Sequence, residues 1–352
     1  MNQFNYNWNL KDAIFTKDKG TVFSCFACGG GSTMGYKLAG FDVIGCNEID
    51  PRMIWRYMIN HRPKYPFLEG IQTFKDRNNL PKELYELTIL DGSPPCSSFS
   101  MSGNRDDDWG KDKVFKEGQA KQVLDTLFFD FIELAKKLQP KIVVAENVKG
   151  LLMGSADKYV KKIYQEFDSA GYYCQHHLLD ASNMGVPQRR ERVFFIALRK
   201  DLMNNIGFSD MFGLTPKLTL IFNEPKIRYS EICEGEGRKL SDFQYELWLK
   251  KHDSDLNFGD INKREREGKI SMFNYALIKQ TDILPTLQGD ERIIEFERPM
   301  FIPLTAIIKA SSFPLDYNFY GMNPAYFCGM SVPPLMTANI ATEIYNQWIT
   351  KF

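Results

Sequence analysis

Between positions 21 and 46 the chain follows a pattern that few folds accept: an apolar run (21–26), a glycine cluster, a stretch of helical periodicity (32–39) and a second apolar run (43–46). Two buried strands joined through a crossover helix lie parallel in one sheet, so this is a βαβ unit. The alternation continues. Residues 51–60 read as a helix opened by Pro51, where the missing N–H does no harm, and 87–90 read as a strand. In 123–138, Leu124, Leu127, Phe128, Phe131, Ala135 and Leu138 recur every three or four positions and make one core-facing stripe. Strands over 142–145, 173–179 and 193–197, with a helix over 159–170, complete the set. The economical fold is α/β, a doubly wound and mostly parallel sheet.

After Lys200 the periodicity fades. Residues 201–282 are polar and charge-mixed, with the run Lys263-Arg264-Glu265-Arg266-Glu267-Gly268-Lys269. A second, smaller domain is expected over 201–321, with 1–200 plus 322–352 forming the first domain and 335–349 a final helix. Charge narrows the function further. Lys plus Arg and Asp plus Glu are 44 each, so a polyanion would have to be held by a local patch rather than by an overall positive field. Seven irregularly spaced cysteines read as reduced thiols. The N-terminus lacks the charged and apolar regions of a signal peptide, and no apolar run reaches membrane-spanning length. A cytoplasmic protein with no membrane partner is expected.

Two segments suggest chemistry. Asp91-Gly92-Ser93-Pro94-Pro95-Cys96 follows a strand directly, and the two prolines fix the backbone so that the Cys96 thiol is held at the strand's carboxyl end, where open α/β sheets bind ligands. Phe26-Ala27-Cys28-Gly29-Gly30-Gly31 joins a strand to a helix, and Glu48 closes the next strand about twenty residues later. Glycines allow close approach of a ligand, and a carboxylate at the strand tip can accept from ribose hydroxyls; Ile49 could cover an adenine face. A nicotinamide dehydrogenase, a methyltransferase and a plain tight turn all fit this segment. Cys25 and Cys28 form a C-x-x-C pair, but no second pair completes a zinc site, and His176 and His177, adjacent on a strand, point to opposite faces. No metal is expected.

Taken together, these segments resemble the DNA cytosine-5 methyltransferase family across nearly the whole chain. The glycine loop with Gly35 and Ala39-Gly40-Phe41 is similar to its cofactor loop, and Asn47-Glu48-Ile49-Asp50 to its ribose-binding segment. Pro95-Cys96 with Phe99-Ser100 resembles its nucleophile motif, Glu146-Asn147-Val148 its Glu-Asn-Val motif, and Gln188-Arg189-Arg190-Glu191-Arg192 its Gln-x-Arg-x-Arg motif. Pro303-Leu304-Thr305, Phe313-Pro314 and the stretch 329–334 are similar to its last two motifs. Cys28 departs from the pattern, standing where the first glycine of the loop is usual. Ser97 replaces the common Gln, and Glu69-Gly70-Ile71 only approximates the adenine-contacting segment.

The resemblance implies methyl transfer from S-adenosylmethionine, leaving S-adenosylhomocysteine, to carbon 5 of a flipped-out cytosine in a specific duplex DNA sequence. Cys96 would attack C6, Glu146 would act at N3, Arg192 would stabilise charge at O2, and Arg190 could orient Glu146 or the Cys96 loop. Cofactor contacts are implied for Phe26, Ala27, Cys28, Gly29, Gly30, Gly31, Glu48, Ile49, Ile71, Pro94 and Ser331. A mobile loop from Ser98 to Phe115 would close over the DNA, and the 201–321 domain would recognise the target, with Arg228, Arg238, Lys239, Arg264 and Arg266 as candidate contacts. A monomer is expected, with a separate restriction endonuclease as a conceivable companion. A tRNA-methylating enzyme and a catalytically silent cofactor-binding DNA-binding protein are the alternatives.

Overall fold

The computed structural model describes residues 4–95, 126–153, 157–206, 216–265 and 275–352. The chain divides into two compact units that are not contiguous in sequence. The larger comprises Ala13–Asp180, Glu191–Phe222 and Met336–Phe352; the smaller comprises Met1–Asp12, Ala181–Arg190 and Asn223–Leu335.

The larger unit is built on a seven-stranded sheet. Its strands are β1 (Thr21–Cys25), β2 (Asp42–Glu48), β3 (Tyr65–Leu68), β4 (Ile89–Gly92), β5 (Ile142–Val148), β6 (Tyr172–Asp180) and β7 (Glu191–Arg199), in the order β3-β2-β1-β4-β5-β7-β6. The first five are mutually parallel, whereas β7 runs antiparallel to both its neighbours. The α/β reading of the sequence thus holds, with a reversed strand near one edge. β3 escapes sequence reading because Pro66 interrupts a four-residue run; as the edge strand it tolerates a residue with no N–H to donate.

Helices cover both faces. α1 (Gly31–Leu38) and α2 (Pro51–His61) follow β1 and β2, α3 (Ile71–Asp76) follows β3, α4 (Leu127–Leu138) precedes β5 and α5 (Asp157–Ser169) precedes β6. The Asp50 carboxylate caps α2 by accepting from the Arg52 N–H at 2.8 Å, and Pro51 occupies the first turn. α4 ends at Gln139 in the left-handed conformation (φ 51°), with Pro140 next. Its buried stripe Leu127, Phe128, Phe131, Leu134, Ala135 and Leu138 packs with Phe23, Leu90, Val143 and Phe195 of the sheet in one core. On the opposite face the Phe41 and Tyr345 rings meet edge to face, 6.3 Å between centroids.

The smaller unit carries α6 (Asp242–Leu249), α7 (Phe258–Glu265), the parallel pair β8 (Ala276–Ile278) and β9 (Ile293–Glu295), α8 (Leu304–Ala310) and α9 (Pro324–Met330). Its core joins Leu247, Phe258, Ile261, Leu277, Ile294 and Phe301. These elements are short, which is why the 201–282 segment shows little period. A final helix, α10 (Pro334–Gln347), follows. Among the described residues no helix is long and apolar enough to cross a membrane.

Candidate functional site

The carboxyl ends of the parallel strands carry most of the residues singled out in the sequence. The loop between β1 and α1 makes three left-handed turns in five residues, at Phe26 (φ 51°), Cys28 (φ 47°) and Gly30 (φ 84°). Cys28 therefore adopts the conformation for which glycine is usual, at a strain of about 1 kcal/mol. Its N–H donates to Glu48 Oε2 at 2.8 Å, while Oε1 accepts from the Ile49 and Asp50 N–H groups, both at 2.9 Å. A carboxylate offers about four acceptor positions, so three backbone donors leave roughly one free for any further donor. Burial raises the Glu48 pKa, against the lowering effect of these amides.

Gly30 is held to glycine twice over. Beyond its positive φ, a Cβ there would sit 2.3 Å from His61 Nε2. Buried at the end of α2, His61 donates from Nε2 to the Gly29 carbonyl at 3.2 Å and so fixes the loop. Burial, helped by the charge of Lys37, pushes its pKa down to about 3, so the ring is neutral near pH 7. Nothing in the sequence marked this histidine, because its contact spans 32 residues. Nearby, Gly70 places Ile49 Cδ1 3.5 Å from where a Cβ would lie, and Ile71 is buried at the start of α3.

The second half of the site lies on β5 and β7. Glu146 pairs across the sheet with Phe194, so Arg192, two residues earlier on β7, shares its face. Arg192 Nε and Glu146 Oε1 are 3.0 Å apart, with side chains only 15% and 11% exposed. Burial lowers the Arg192 pKa, and the Glu146 carboxylate opposes that shift; the guanidinium stays charged. Asn147, next to Glu146, donates from Nδ2 to the Pro94 carbonyl at 3.1 Å and thereby braces the Pro-Pro turn against β5. Cys96 and the 98–115 loop lie outside the described residues.

Arg190 and Ser331 belong to the smaller unit. The Arg190 guanidinium is buried and donates to the carbonyls of Gly329 (3.1 Å), Ser331 (3.0 Å) and Leu287 (3.4 Å), so it organises the backbone that carries Ser331. Two of the candidate DNA contacts are already engaged. Arg264 grips Asp255 at 2.8 and 3.0 Å, and Arg238 stacks over Phe301 at 3.9 Å; Arg266 lies outside the described residues. Among the described residues no group of three or more His, Cys, Asp or Glu could hold a metal ion.

A family model described as C-5 cytosine-specific DNA methylase matches residues 20–346. The chain is 38% identical over 190 residues to the Type II methyltransferase M.FnuDI of Fusobacterium nucleatum, covering 53% of this chain and 49% of that protein. It is 27% identical over 345 residues to the Type II methyltransferase M1.HphI of Haemophilus parahaemolyticus, covering 92% and 86%. The matched region thus spans about half the length of the first of these relatives and most of the second. Among solved structures, a triple mutant of Spodoptera frugiperda DNMT2 superposes with a TM-score of 0.61 at 15% identity, covering 92% of this chain and 99% of that one. The S. pombe Dnmt2 methyltransferase gives 0.56 at 13%, covering 92% and 98%. At such identities the likeness is one of fold.

Proposed function

The chain belongs to the C-5 cytosine-specific DNA methylase family, and from that premise we propose that it methylates carbon 5 of a cytosine turned out of duplex DNA, through a transient covalent bond from Cys96. The observation that carries this reading is the buried Glu146–Arg192 pair beside the braced Pro94 turn. An acid and a fixed cation on one sheet face suit a pyrimidine ring that gathers electrons at N3 and O2 when a thiolate adds to C6.

The Cys96 thiolate donates an electron pair to C6, and the displaced ring electrons reach N3, where Glu146 shares a proton, and O2, which Arg192 faces. Ring carbon 5 thereby becomes nucleophilic and would take the methyl group from a sulfonium donor, whose methyl–sulfur bond breaks to leave a neutral thioether. A water molecule takes the C5 proton, the C5–H electron pair re-forms the C5–C6 double bond, and the thiolate leaves C6, restoring the aromatic ring. A cytosine inside the duplex cannot present its C6 face, so extrusion at a cost of a few kcal/mol precedes attack.

The loop residues fit S-adenosylmethionine, which when bound supplies an electrophilic methyl on a sulfonium. Gly30 leaves room for the His61 ring, which holds the loop backbone through the Gly29 carbonyl, and Glu48 would keep one acceptor position for a ribose hydroxyl. Recognition of a particular DNA sequence is assigned to the 201–321 segment, and a restriction endonuclease would be a separate chain. Expression in a host free of cytosine methylation, followed by sequencing of genomic 5-methylcytosine, tests the proposal. Modification confined to one short motif, and absent with Cys96→Ser, is expected. Labelled methyl appearing in tRNA but not DNA would move the substrate to RNA; full activity of Cys96→Ser would end the covalent mechanism.

A further inference from the structure

Asp91 is a buried carboxyl that the methyl-transfer chemistry does not use. It sits on β4 among apolar neighbours, after Ile89 and Leu90 and opposite Val144 on β5, only 3% exposed. An ionisable side chain in such a strand adds little to stability, and an apolar residue of similar volume would serve a purely structural purpose as well or better. Its partners suggest another role. Ser24 on β1 is its register partner and donates from Oγ to Oδ2 at 2.8 Å; Tyr36 on α1 donates from its hydroxyl to Oδ1 at 3.2 Å. Both partners are buried, Ser24 at 2% and Tyr36 at 1% exposure.

Ser24 lies two residues before the loop that begins at Phe26, and Tyr36 five residues after Gly31 ends it. We infer that Asp91 is a positioning residue for the cofactor loop, one carboxylate oxygen fastened to the strand that enters the loop and the other to the helix that leaves it. The loop needs such a clamp. It carries two non-glycine residues in the left-handed region, and the residue before α1 is Gly30, which has no side chain to cap the first turn. This inference rests on reading the loop as the S-adenosylmethionine site.

The clamp is sensitive to protonation. Burial pushes the Asp91 pKa up to about 7, opposed by the Ser24 and Tyr36 hydrogen bonds and assisted by the charge of Glu146. Among the described residues the titratable groups that act on it are Cys25 on β1 and Tyr36 on α1, both pushed up by burial, and Glu146 on β5. The carboxylate accepts both hydroxyls, whereas the neutral acid must donate its own proton and cannot hold both arms in the same way.

Calorimetric titration of the full chain with S-adenosylhomocysteine, from about pH 6 to about pH 8.5, tests the idea. Asp91→Asn is expected to weaken binding about tenfold above neutrality and to remove an affinity change centred near pH 7 that the parent shows. The loss should appear in the KM for S-adenosylmethionine rather than in kcat. Tyr36→Phe should weaken binding severalfold, and Tyr36→Phe with Asp91→Asn no more than Asp91→Asn alone, because both cut the same tie. Should Asp91→Asn fail to fold, Tyr36→Phe and Ser24→Ala each remove one arm and carry the test. Parental affinity and an unchanged pH profile in the folded variants, or losses that simply add, would overturn the clamp while leaving the function intact. A parent chain that binds no S-adenosylhomocysteine would instead overturn the reading of the loop, and the clamp with it.

Discussion

Removing one or both members of the Glu146–Arg192 pair separates structural from chemical roles. At an effective dielectric of about 20, unit charges 3.0 Å apart attract by about 5.5 kcal/mol. Much of that offsets the desolvation of two groups that are nearly buried, so the pair as a whole is close to neutral for stability. Arg192→Met leaves the Glu146 carboxylate buried without its counter-charge and should destabilise the protein by about 3 kcal/mol; Glu146→Gln, which strands the guanidinium, should do about the same. The double variant has neither charge and should return to within about 1 kcal/mol of the parent. Urea unfolding followed by tryptophan fluorescence measures the three. All three variants should lose methyl transfer by at least about a hundredfold, because stability can be restored without either charge but stabilisation of N3 and O2 cannot. If the double variant is as unstable as the two singles summed, or if Arg192→Met transfers methyl within about tenfold of the parent, the pairing argument is wrong.

Gly30→Ala forces a methyl to within 2.3 Å of His61 at φ 84° and should cost about 3 kcal/mol together with most S-adenosylhomocysteine affinity, both readable by thermal shift with and without ligand. The His61 ring is uncharged in the fold, keeping only the Nε2 proton it donates to Gly29, yet takes up a second proton near pH 6.5 when unfolded. Its contribution is therefore complete above that pH and fades on acidification toward pH 3, by about 1.4 kcal/mol per pH unit. Comparing urea midpoints of the parent and His61→Asn at about pH 7.5 and about pH 5 checks this: the variant should show the shallower loss, and parallel losses would refute it. Gly92→Ala would press a Cβ to 2.6 Å from the Phe131 ring and should destabilise by about 2 kcal/mol, with partial rescue by Phe131→Leu in the same unfolding assay.

Much of the larger unit was legible from local pattern. The α4 stripe, the Pro51 helix start and the strand–glycine–helix order at 21–46 depend on neighbours within a few positions, and the elements appear within a few residues of where periodicity puts them. Glu146 and Arg192 stood out through their motifs. Their 3.0 Å contact did not, because it depends on the register of β5 against a strand 46 residues further on whose direction is reversed. The smaller unit was nearly opaque, since helices of seven or eight residues and three-residue strands carry too few turns or alternations to show a period.

What the chain's own order determined is thus everything governed by local sterics and spacing: the crossover unit, the helix caps, the glycine loop and the family's motifs in sequence. Tertiary structure alone decided that β7 runs backwards, that His61 closes on Gly29, that the Arg190 guanidinium is held by backbone carbonyls, and that Asp91 spans the loop's two ends. The physical reason is common to all four. Each is a contact between residues far apart in sequence, so its partner is selected by sheet register and burial, where an unmet polar group is expensive, and not by any preference a single segment carries.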